Sequence, residues 1–267
     1  MIGAIAGDII GSVYEFDNIR TKDFPLFGRG CSFTDDSVMT LALCEAILKS
    51  GPDRKDLSSN AVSCMQDIGR RYPSCGFGGM FRRWIFSDDP TPYGSYGNGA
   101  AMRVSGAAYA ADTLDEVLDI AAKITEVTHN HPEGIKGAQA TAAAVFLART
   151  GASMQAIREH IEENYYHSGF TLKQIRNSYR FNETCQETVP QALEAFFESK
   201  DYEDAIRNGV SIGGDSDTIG AITGAVAEAY YGVPDSIRSM AESYLDSTLL
   251  DILRRFEEKY PPRKTQK

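Results

Sequence analysis

The sequence predicts an all-α fold, organised as a single compact domain of many helices. Apolar residues recur with a helical period along most of the chain, and no segment sustains the alternation expected of a strand. No repeat and no low-complexity linker divides the 267 residues, a length that is ample for one sizeable core. We therefore place one domain at residues 1–260 and expect a disordered tail at 261–267.

The individual helices are predicted from apolar periodicity and from capping signals. Thr113 and Glu116 have the spacing of a capping box, Ser153 is a predicted N-cap, and Pro190 stands near the start of its helix. Two segments rich in Ala and Gly, at 134–149 and 217–231, are expected to lie deep in the fold with close neighbours. The predicted helical segments are 1–16, 36–49, 113–128, 134–149, 153–165, 189–199, 201–212, 217–231 and 234–260. Between about 68 and 105 the chain is predicted to be rich in loops, with its aromatic residues packed in the core: Phe77, Phe81, Trp84 and Tyr93.

Charge and hydropathy exclude two classes of partner. The formal net charge is −10, which argues against nucleic acid as a partner because a nucleic-acid-binding surface needs a basic patch. No apolar run reaches membrane-spanning length, so no membrane partner is expected. The apolar N-terminus lacks a basic region and is interrupted by Asp8, which favours a buried helix over a signal peptide.

Cysteine usage points to the cytoplasm. The number of cysteines is odd, no Cys-x-x-Cys motif occurs, and no export signal precedes them. Reduced thiols are the simplest interpretation, and a structural zinc site is not expected. The five residues are Cys31, Cys44, Cys64, Cys75 and Cys185. We expect a cytoplasmic monomer.

Two short acidic segments are the main clue to function. "TDDS" at 34–37 and "GGDSDT" at 213–218 each stand at the start of a predicted helix. Helix N-capping explains one such side chain per helix, because its oxygen accepts the free amide protons of the first turn. Further carboxylates exceed that need. The residues concerned are Thr34, Asp35, Asp36, Asp215, Asp217 and Thr218.

Clustered carboxylates are costly unless a cation neutralises them. An all-oxygen set of Asp carboxylates and Thr hydroxyls suits a hard cation such as Mg²⁺, Mn²⁺ or Ca²⁺, and suits zinc poorly. If the two segments meet in the fold, they form a two-metal site that clamps substrate oxygens and activates water. We infer that they do meet.

Three other motifs carry groups of chemical interest. In "GDIIGSVYEF" helical spacing places Asp8 and Glu15 roughly on one face. In "GSYGNGAAMRVS", at 94–105, bare backbone amides are able to approach a diphosphate, although an ordinary turn gives the same pattern. In "THNHPEG" the histidines suit a helix C-terminus, and without a nearby Cys or third His we do not assign them to a metal.

Taken in order, these motifs resemble the ADP-ribosylglycohydrolase family, which includes the dinitrogenase-reductase-activating glycohydrolases. The resemblance covers residues 2–232 and rests on five segments: "GAIAGDIIGSVYEF", "FTDDS", "SYGNGAAMRVS", "THNHPEG" and "GGDSDTIGAITGAVAEAYYG". It implies a compact all-α fold with two Mg²⁺ or Mn²⁺ ions in a central cleft. It also implies hydrolysis of the bond between ADP-ribose and an acceptor.

The resemblance assigns roles to particular residues. It implies that Glu15 faces the scissile bond, and that His129 contacts the distal ribose or a phosphate. Ser37 stands where many family members have Thr, a change that keeps the hydroxyl. The implied metal ligands are Thr34, Asp35 and Asp36 from the first acidic segment, with Asp215, Asp217 and Thr218 from the second. The implied diphosphate and ribose loop is Ser95, Tyr96, Gly97, Asn98 and Gly99.

Our interpretation is therefore a metal-dependent hydrolase acting on ADP-ribosylated substrates, which we expect to be modified proteins. Asp36 or Glu15 takes a proton from the attacking water, next to an oxocarbenium-like transition state. One alternative is a phosphohydrolase that cuts the pyrophosphate of ADP-ribose or another nucleotide. Another is a non-catalytic ADP-ribose-binding protein. Arginine, serine, a nucleic-acid end and a small molecule are all compatible acceptors, selected by rim loops expected within 17–32 and 165–185.

Overall fold

The computed structural model describes residues 1–261, and in that range the backbone is arranged in helices joined by turns and loops. Short 3₁₀ turns follow α1 and α5, at Ser12–Tyr14 and Ser105–Ala108. The helices are α1 (Ile2–Gly11), α2 (Asp35–Lys49), α3 (Leu57–Gly69), α4 (Gly79–Ile85), α5 (Gly99–Met102), α6 (Leu114–Thr125), α7 (Pro132–Thr150), α8 (Met154–Asn164), α9 (Leu172–Ile175), α10 (Cys185–Phe197), α11 (Tyr202–Val210), α12 (Ser216–Tyr231), α13 (Asp235–Tyr244) and α14 (Ser247–Lys259).

Extended pairing is limited, within residues 1–261, to one isolated antiparallel bridge between Gly97 and Thr184. The prediction of an all-α fold in one helical domain is confirmed. No helix in the described part of the chain is both long and apolar enough to cross a membrane. Residues 262–267, most of the predicted tail, lie outside the described residues.

Helix α12 forms the centre of the fold. It is buried from Ser216 to Glu228, and α1, α7, α10 and α11 all pack against it. Such a helix needs small residues on several sides, because neighbouring backbones then approach closely. The sequence "DTIGAITGAVAEA" supplies them, as the composition predicted.

The contact between α1 and α12 is a backbone contact. A Cβ atom at Gly7 would overlap the carbonyl oxygen of Gly220, and one at Gly224 would overlap the carbonyl oxygen of Gly3. Glycines spaced four apart therefore form one continuous stripe on each helix. Because no side chain separates the two backbones, Asp8, which follows Gly7, is brought close to Asp217, which precedes Gly220.

Most predicted helices are confirmed, and their ends follow local capping. Thr113 and Glu116 form the predicted capping box of α6, and the Ser153 hydroxyl accepts the amide of Ala156 at the start of α8. The segment at 234–260 is two helices, because Asp246 accepts the amides of Thr248 and Leu249 and starts α14 anew. Helix α3, at 57–69, was not predicted.

Helix α10 begins earlier than its sequence predicts. Pro190 lies inside the helix, which starts at Cys185. The reason is tertiary: Asn98 donates its amide to the Glu183 carbonyl over 2.7 Å, and Cys185 donates its amide to the Tyr96 carbonyl over 3.0 Å. The glycine-rich loop thus fixes the entry into α10.

The loop-rich region at 68–105 contains two short helices, α4 and α5. The stacked rings of Phe81 and Trp84 on α4 have centroids 5.6 Å apart, and both side chains are buried. Phe77 and Tyr93 are only partly buried. This region forms one wall of a cleft whose floor is the N-terminal ends of α2 and α12.

Candidate active site

The two acidic segments meet at the N-terminal ends of α2 and α12. The hydroxyl of Thr218 donates to Oδ2 of Asp36 over 3.3 Å. Asp36 and Asp217 are 2% and 4% exposed, respectively. Helix N-termini carry partial positive charge, which partly offsets the carboxylates gathered there.

The carboxylates form two overlapping groups. Asp8, Asp36 and Asp217 each place an oxygen within 4.8 Å of the others, and Glu15, Asp215 and Asp217 do the same. Asp217 belongs to both groups and connects them. The Asn98 amide donates to Oδ2 of Asp215 over 2.7 Å, which fixes that carboxylate from the side of the glycine-rich loop.

Asp8 holds α2 in place. Its carboxylate accepts four hydrogen bonds, from the backbone amides of Thr34 and Ser37 and from both of their hydroxyls. The distances for Thr34 are 3.0 Å from the amide and 2.7 Å from the hydroxyl. The hydroxyl of Ser37 is thus used in holding the first turn of α2. Asp8 fixes the first turn of α2 against α1, and its oxygens have little remaining capacity for another ligand.

Asp36 is the carboxylate with spare capacity. Its Oδ1 is buried and has no hydrogen-bond partner among the described residues. An unsatisfied buried carboxylate oxygen is costly. Burial, followed by repulsion from Asp217 and Asp8, raises the pKa of Asp36 well above its ordinary value. These are the properties expected of a side chain that binds a cation.

The neighbouring carboxyl groups share this environment. Burial, followed by repulsion from Asp217, raises the pKa of Asp35 well above its ordinary value. The pKa of Asp217 is raised in the same way by burial and by Asp215, and burial raises the pKa of Asp215 to about 6. Gly76, with φ of +116°, passes so close to Asp35 that a Cβ there would lie 2.8 Å from Oδ1.

Glu15 lies at the open side of this cluster. It follows the 3₁₀ turn after α1 and is half-buried. Burial, followed by the charges of Asp217 and Glu183, raises its pKa to about 8. The backbone here is fixed by Asn18, whose amide donates to the carbonyl of Glu15 over 2.9 Å and to that of Gly214 over 2.9 Å.

The glycine-rich loop and His129 border the same cleft. The amides of Gly94, Gly97 and Asn98 already donate within the protein, to Asn130, Ser95 and Glu183. These three backbone donors are therefore used to shape the loop. His129 is buried, and its Nε2 faces the bare α-carbons of Gly97 and Gly99.

One cleft of about 810 Å³ joins these elements. This volume is in the range of sites that bury a nucleotide-sized ligand. The predicted residues that line it are Glu15, Asp35, Asp36, Ser95, Tyr96, Gly97, Asn98, Gly99, His129, Asp215, Asp217 and Thr218. Thr34 is the exception: it is the N-cap of α2, and its hydroxyl is directed to Asp8.

Sequence comparison agrees with this geometry. The family described as ADP-ribosylglycohydrolase matches residues 1–264 of the sequence. The chain belongs to the ADP-ribosylglycohydrolase family. It is therefore a glycohydrolase that removes ADP-ribose from modified acceptors.

Relatives of this ADP-ribosylglycohydrolase span nearly the whole chain. The ADP-ribosylhydrolase ARH3 of Bos taurus is 27% identical over an alignment of 327 positions. The alignment covers 94% of this chain and 89% of that protein. The ADP-ribosyl-dinitrogen reductase glycohydrolase of Rhodospirillum rubrum is 30% identical over 261 residues, covering 88% and 85%. A solved ADP-ribosylglycohydrolase-related protein complex has the same fold, with a TM-score of 0.65, 24% identity and 94% of each chain covered.

Two contributors to this ADP-ribosylglycohydrolase site were missed by the sequence reasoning. The sequence predicted only that Asp8 shares a helix face with Glu15. No residue near Asp8 in the chain indicates that its carboxylate accepts the amide of Thr34, 26 residues away, at the start of α2. Arg103, at the end of "GNGAAMR", was assigned no role, yet it is buried and lines the cleft. Its position one short helix after the glycine-rich loop was the available signal.

The two expected rim loops of this ADP-ribosylglycohydrolase come together. The exposed ring of Phe16, the residue just before the first loop, stacks on Phe181 of the second, with centroids 5.9 Å apart and an interplanar angle of 26°. Phe16 is 85% exposed, an unusual state for Phe. Arg20 links the loops by donating to the carbonyls of Arg176 and Tyr179 over 2.8 and 2.9 Å.

Proposed function

We propose that the protein uses two divalent cations, Mg²⁺ or Mn²⁺, to release ADP-ribose from ADP-ribosylated proteins. The observation that supports this most is the joining of two carboxylate groups, through Asp217, in the cleft that also holds the glycine-rich loop. We further propose that it acts as a monomer in the cytoplasm, an environment compatible with its five free cysteines.

The side chains present fit hard cations. Every donor in the cluster is a carboxylate or a hydroxyl oxygen, and buried carboxylates with raised pKa values are stabilised in the charged form by a cation. The residues that would hold the ions are Thr34, Asp35, Asp36, Asp215, Asp217 and Thr218. When bound, such ions neutralise the cluster and polarise ribose oxygens and a water molecule. Because Thr34 is engaged with Asp8, we expect it to contribute least.

The proton in the reaction is handled by a carboxylate. Asp36 and Glu15 both lie in the cleft. Glu15 is the better candidate for this proton transfer, because it is on the open side and a pKa of about 8 lets it both give and accept a proton near neutral pH. Asp36 lies between the hydroxyls of Thr34 and Thr218, at 3.4 and 3.3 Å, an arrangement better suited to fixed ligation.

The ADP half would lie along the glycine-rich loop. Ser95, Tyr96, Gly97, Asn98 and Gly99 form this wall, with His129 behind it. Binding energy from the diphosphate and adenosine would orient the distal ribose at the carboxylates. The acceptor, an arginine or serine side chain in this proposal, would leave past Phe16 and Phe181, beside Glu15 and Glu183.

The decisive experiment is mass spectrometry of the products from ADP-ribosyl-arginine and ADP-ribosyl-serine peptides. Each reaction contains Mg²⁺ or Mn²⁺, with a parallel sample in EDTA. Free ADP-ribose and an unmodified peptide, both lost in EDTA, are the expected products and identify the acceptor. AMP with a phosphoribosyl peptide would instead indicate a phosphohydrolase. Tight ADP-ribose binding without turnover of either peptide would contradict the proposed acceptors and favour a binding protein.

A further inference from the structure

Arg103 is a buried cation without a carboxylate partner. It is 1% exposed, and among the described residues no Asp or Glu oxygen lies within ion-pair distance of its guanidinium. Its Nε and Nη1 have no hydrogen-bond partner within residues 1–261. Burial lowers its pKa to about 10, so it stays charged at neutral pH. Because burying an unpaired charge is unfavourable, we expect the Arg103 guanidinium to have a function.

The contacts of the guanidinium are directed at one histidine. Nη2 lies 2.7 Å from the Thr128 hydroxyl and 3.2 Å from Nδ1 of His129. The Thr128 hydroxyl is itself 2.8 Å from the same Nδ1. The Phe81 ring lies under the guanidinium at 4.9 Å, which fixes its plane.

The contact with Arg103 indicates which nitrogen of His129 carries the proton. An arginine side chain only donates hydrogen bonds, so the Nδ1 that faces it must be the acceptor. The proton of the neutral ring is then on Nε2. A doubly protonated ring would direct an N–H at the Arg103 cation, and burial together with that charge holds the pKa of His129 well below its ordinary value.

The Nε2 atom faces the cleft. A Cβ added at Gly99 would lie 3.3 Å from it, and one at Gly97 3.6 Å from it, so side chains at these positions would crowd the approach to Nε2. Nε2 has no hydrogen-bond partner among the described residues. Because the amides of Gly94, Gly97 and Asn98 are already used, an Nε2–H here adds a hydrogen-bond donor to this wall of the cleft.

We propose that Arg103 is a positioning residue: it holds His129 as the neutral Nε2–H tautomer, which donates to an oxygen of ADP-ribose in the cleft. The inference rests on the proposed function for the identity of the ligand, but the tautomer is a property of the free protein. Arg103 itself need not touch the substrate. The titratable side chains in contact with the imidazole are Arg103 and Tyr93, whose ring centroid is 5.9 Å away.

The first test is a two-bond ¹H–¹⁵N NMR spectrum of protein labelled at its four histidines. His129→Gln assigns the signal by its loss. We expect His129 to show the Nε2–H pattern and not to titrate where an ordinary histidine does. In Arg103→Met we expect a mixture of tautomers and a pKa that moves toward the ordinary value. A wild-type Nδ1–H or imidazolium pattern would overturn the proposal, and so would an unchanged tautomer in folded Arg103→Met.

The second test is a double-mutant cycle on ADP-ribose affinity, measured by calorimetry. Arg103→Met should weaken binding roughly tenfold, the value of one good hydrogen bond. Glutamine retains an N–H close to the position of Nε2 and has no tautomers. In the His129→Gln background, Arg103→Met should therefore have little further effect. An equal loss in both backgrounds would mean that Arg103 acts only in packing, and would overturn the proposal.

These tests separate the inference from the proposed function. Peptide hydrolysis by the wild-type protein tests the function, whereas the tautomer is read without turnover. A protein that shows Nε2–H on His129 and yet releases no ADP-ribose would contradict the proposed function and leave the positioning role of Arg103 supported.

Discussion

The hydroxyl of Thr218 donates to Oδ2 of Asp36 over 3.3 Å, although the two residues are 182 positions apart in the sequence. Each lies in the first turn of its helix, α12 and α2. The contact brings two helix N-termini and their carboxylates to one place. Most of the candidate chemistry depends on this junction.

Removing one central carboxylate charge should abolish hydrolysis and leave the fold intact. Asp36→Asn and Asp217→Asn retain the shape of the side chain but remove a charge that burial disfavours. We expect loss of ADP-ribose release with added Mg²⁺, and a melting temperature in EDTA that is unchanged or higher. Activity assays and thermal melts measure the two effects.

The matched control for these variants is Asp119→Asn. Asp119 is exposed and pairs with Lys123 one helical turn away, and it does not line the cleft. Its substitution should change neither activity nor stability by more than ~0.5 kcal/mol. Near-wild-type activity of Asp36→Asn or Asp217→Asn with Mg²⁺ would contradict the two-metal proposal.

The metal-free protein should lose stability as pH rises. Folding raises the pKa of Asp215 from 3.8 to about 6, and that of Glu15 from 4.5 to about 8. A carboxyl with a raised folded-state pKa binds its proton more tightly in the folded protein. Its contribution is therefore complete below the unfolded value and is lost as pH rises through the folded value. In EDTA we expect a lower melting temperature at pH 8 than at pH 6.

Saturating Mg²⁺ should shrink or reverse this pH dependence. The cation competes with protons for the same carboxylates, so its stabilisation grows as they ionise. Melting curves in EDTA and in Mg²⁺ at both pH values measure the effect. A melting temperature in EDTA that increases from pH 6 to pH 8 would show that these carboxyls are not protonated in the folded protein.

The backbone contact between α1 and α12 should not tolerate a methyl group. In Gly7→Ala the new Cβ would overlap the Gly220 carbonyl, so the helices must separate. We expect a loss of at least ~1–3 kcal/mol in the free energy of unfolding, measured with urea. Activity should fall too, because α1 carries Asp8. Gly169→Ala is the control, because a Cβ added there would have no neighbour within 4 Å; an equal loss in that variant would refute this account.

The exposed aromatic pair at the rim should influence acceptor choice. Phe16→Ala removes a side chain that is 85% exposed and stacked on Phe181. Stability should change by less than ~0.5 kcal/mol, and affinity for free ADP-ribose should be unchanged. The ratio of kcat/KM between arginine- and serine-linked peptides should shift. A uniform decrease for both peptides, with weaker ADP-ribose binding, would place the pair in the ADP-ribose site instead.

The sequence predicted the helices whose signals are local. The capping box at Thr113 and Glu116 and the cap at Ser153 each depend only on residues within one helical turn, and both formed as expected. The start of helix α10 was misjudged because it depends on the glycine-rich loop, which is distant in the chain. The break at Asp246 was missed because an Asp inside an amphipathic pattern is equally compatible with a continuous helix.

The clustering of carboxylates was also suggested by the sequence, because the carboxylates at the two helix starts exceed what capping needs. The roles within the cluster were not. The structure directs the hydroxyl of Thr34, one of the expected metal ligands, to Asp8. The glycine-rich loop was expected to present bare amides, whereas several of them are used internally.

By itself, the sequence determined the helical fold, the family and the chemical nature of the site, because these depend on residue type and short-range spacing. Only the tertiary structure decided which side-chain atoms are available to bind a ligand. The packing of Gly7 on Gly220 brings Asp8 to α2, and the placement of Arg103 beside His129 directs one imidazole N–H at the cleft. Such outcomes depend on contacts between distant segments, which are set by how whole helices pack and not by the residues next to them in the chain.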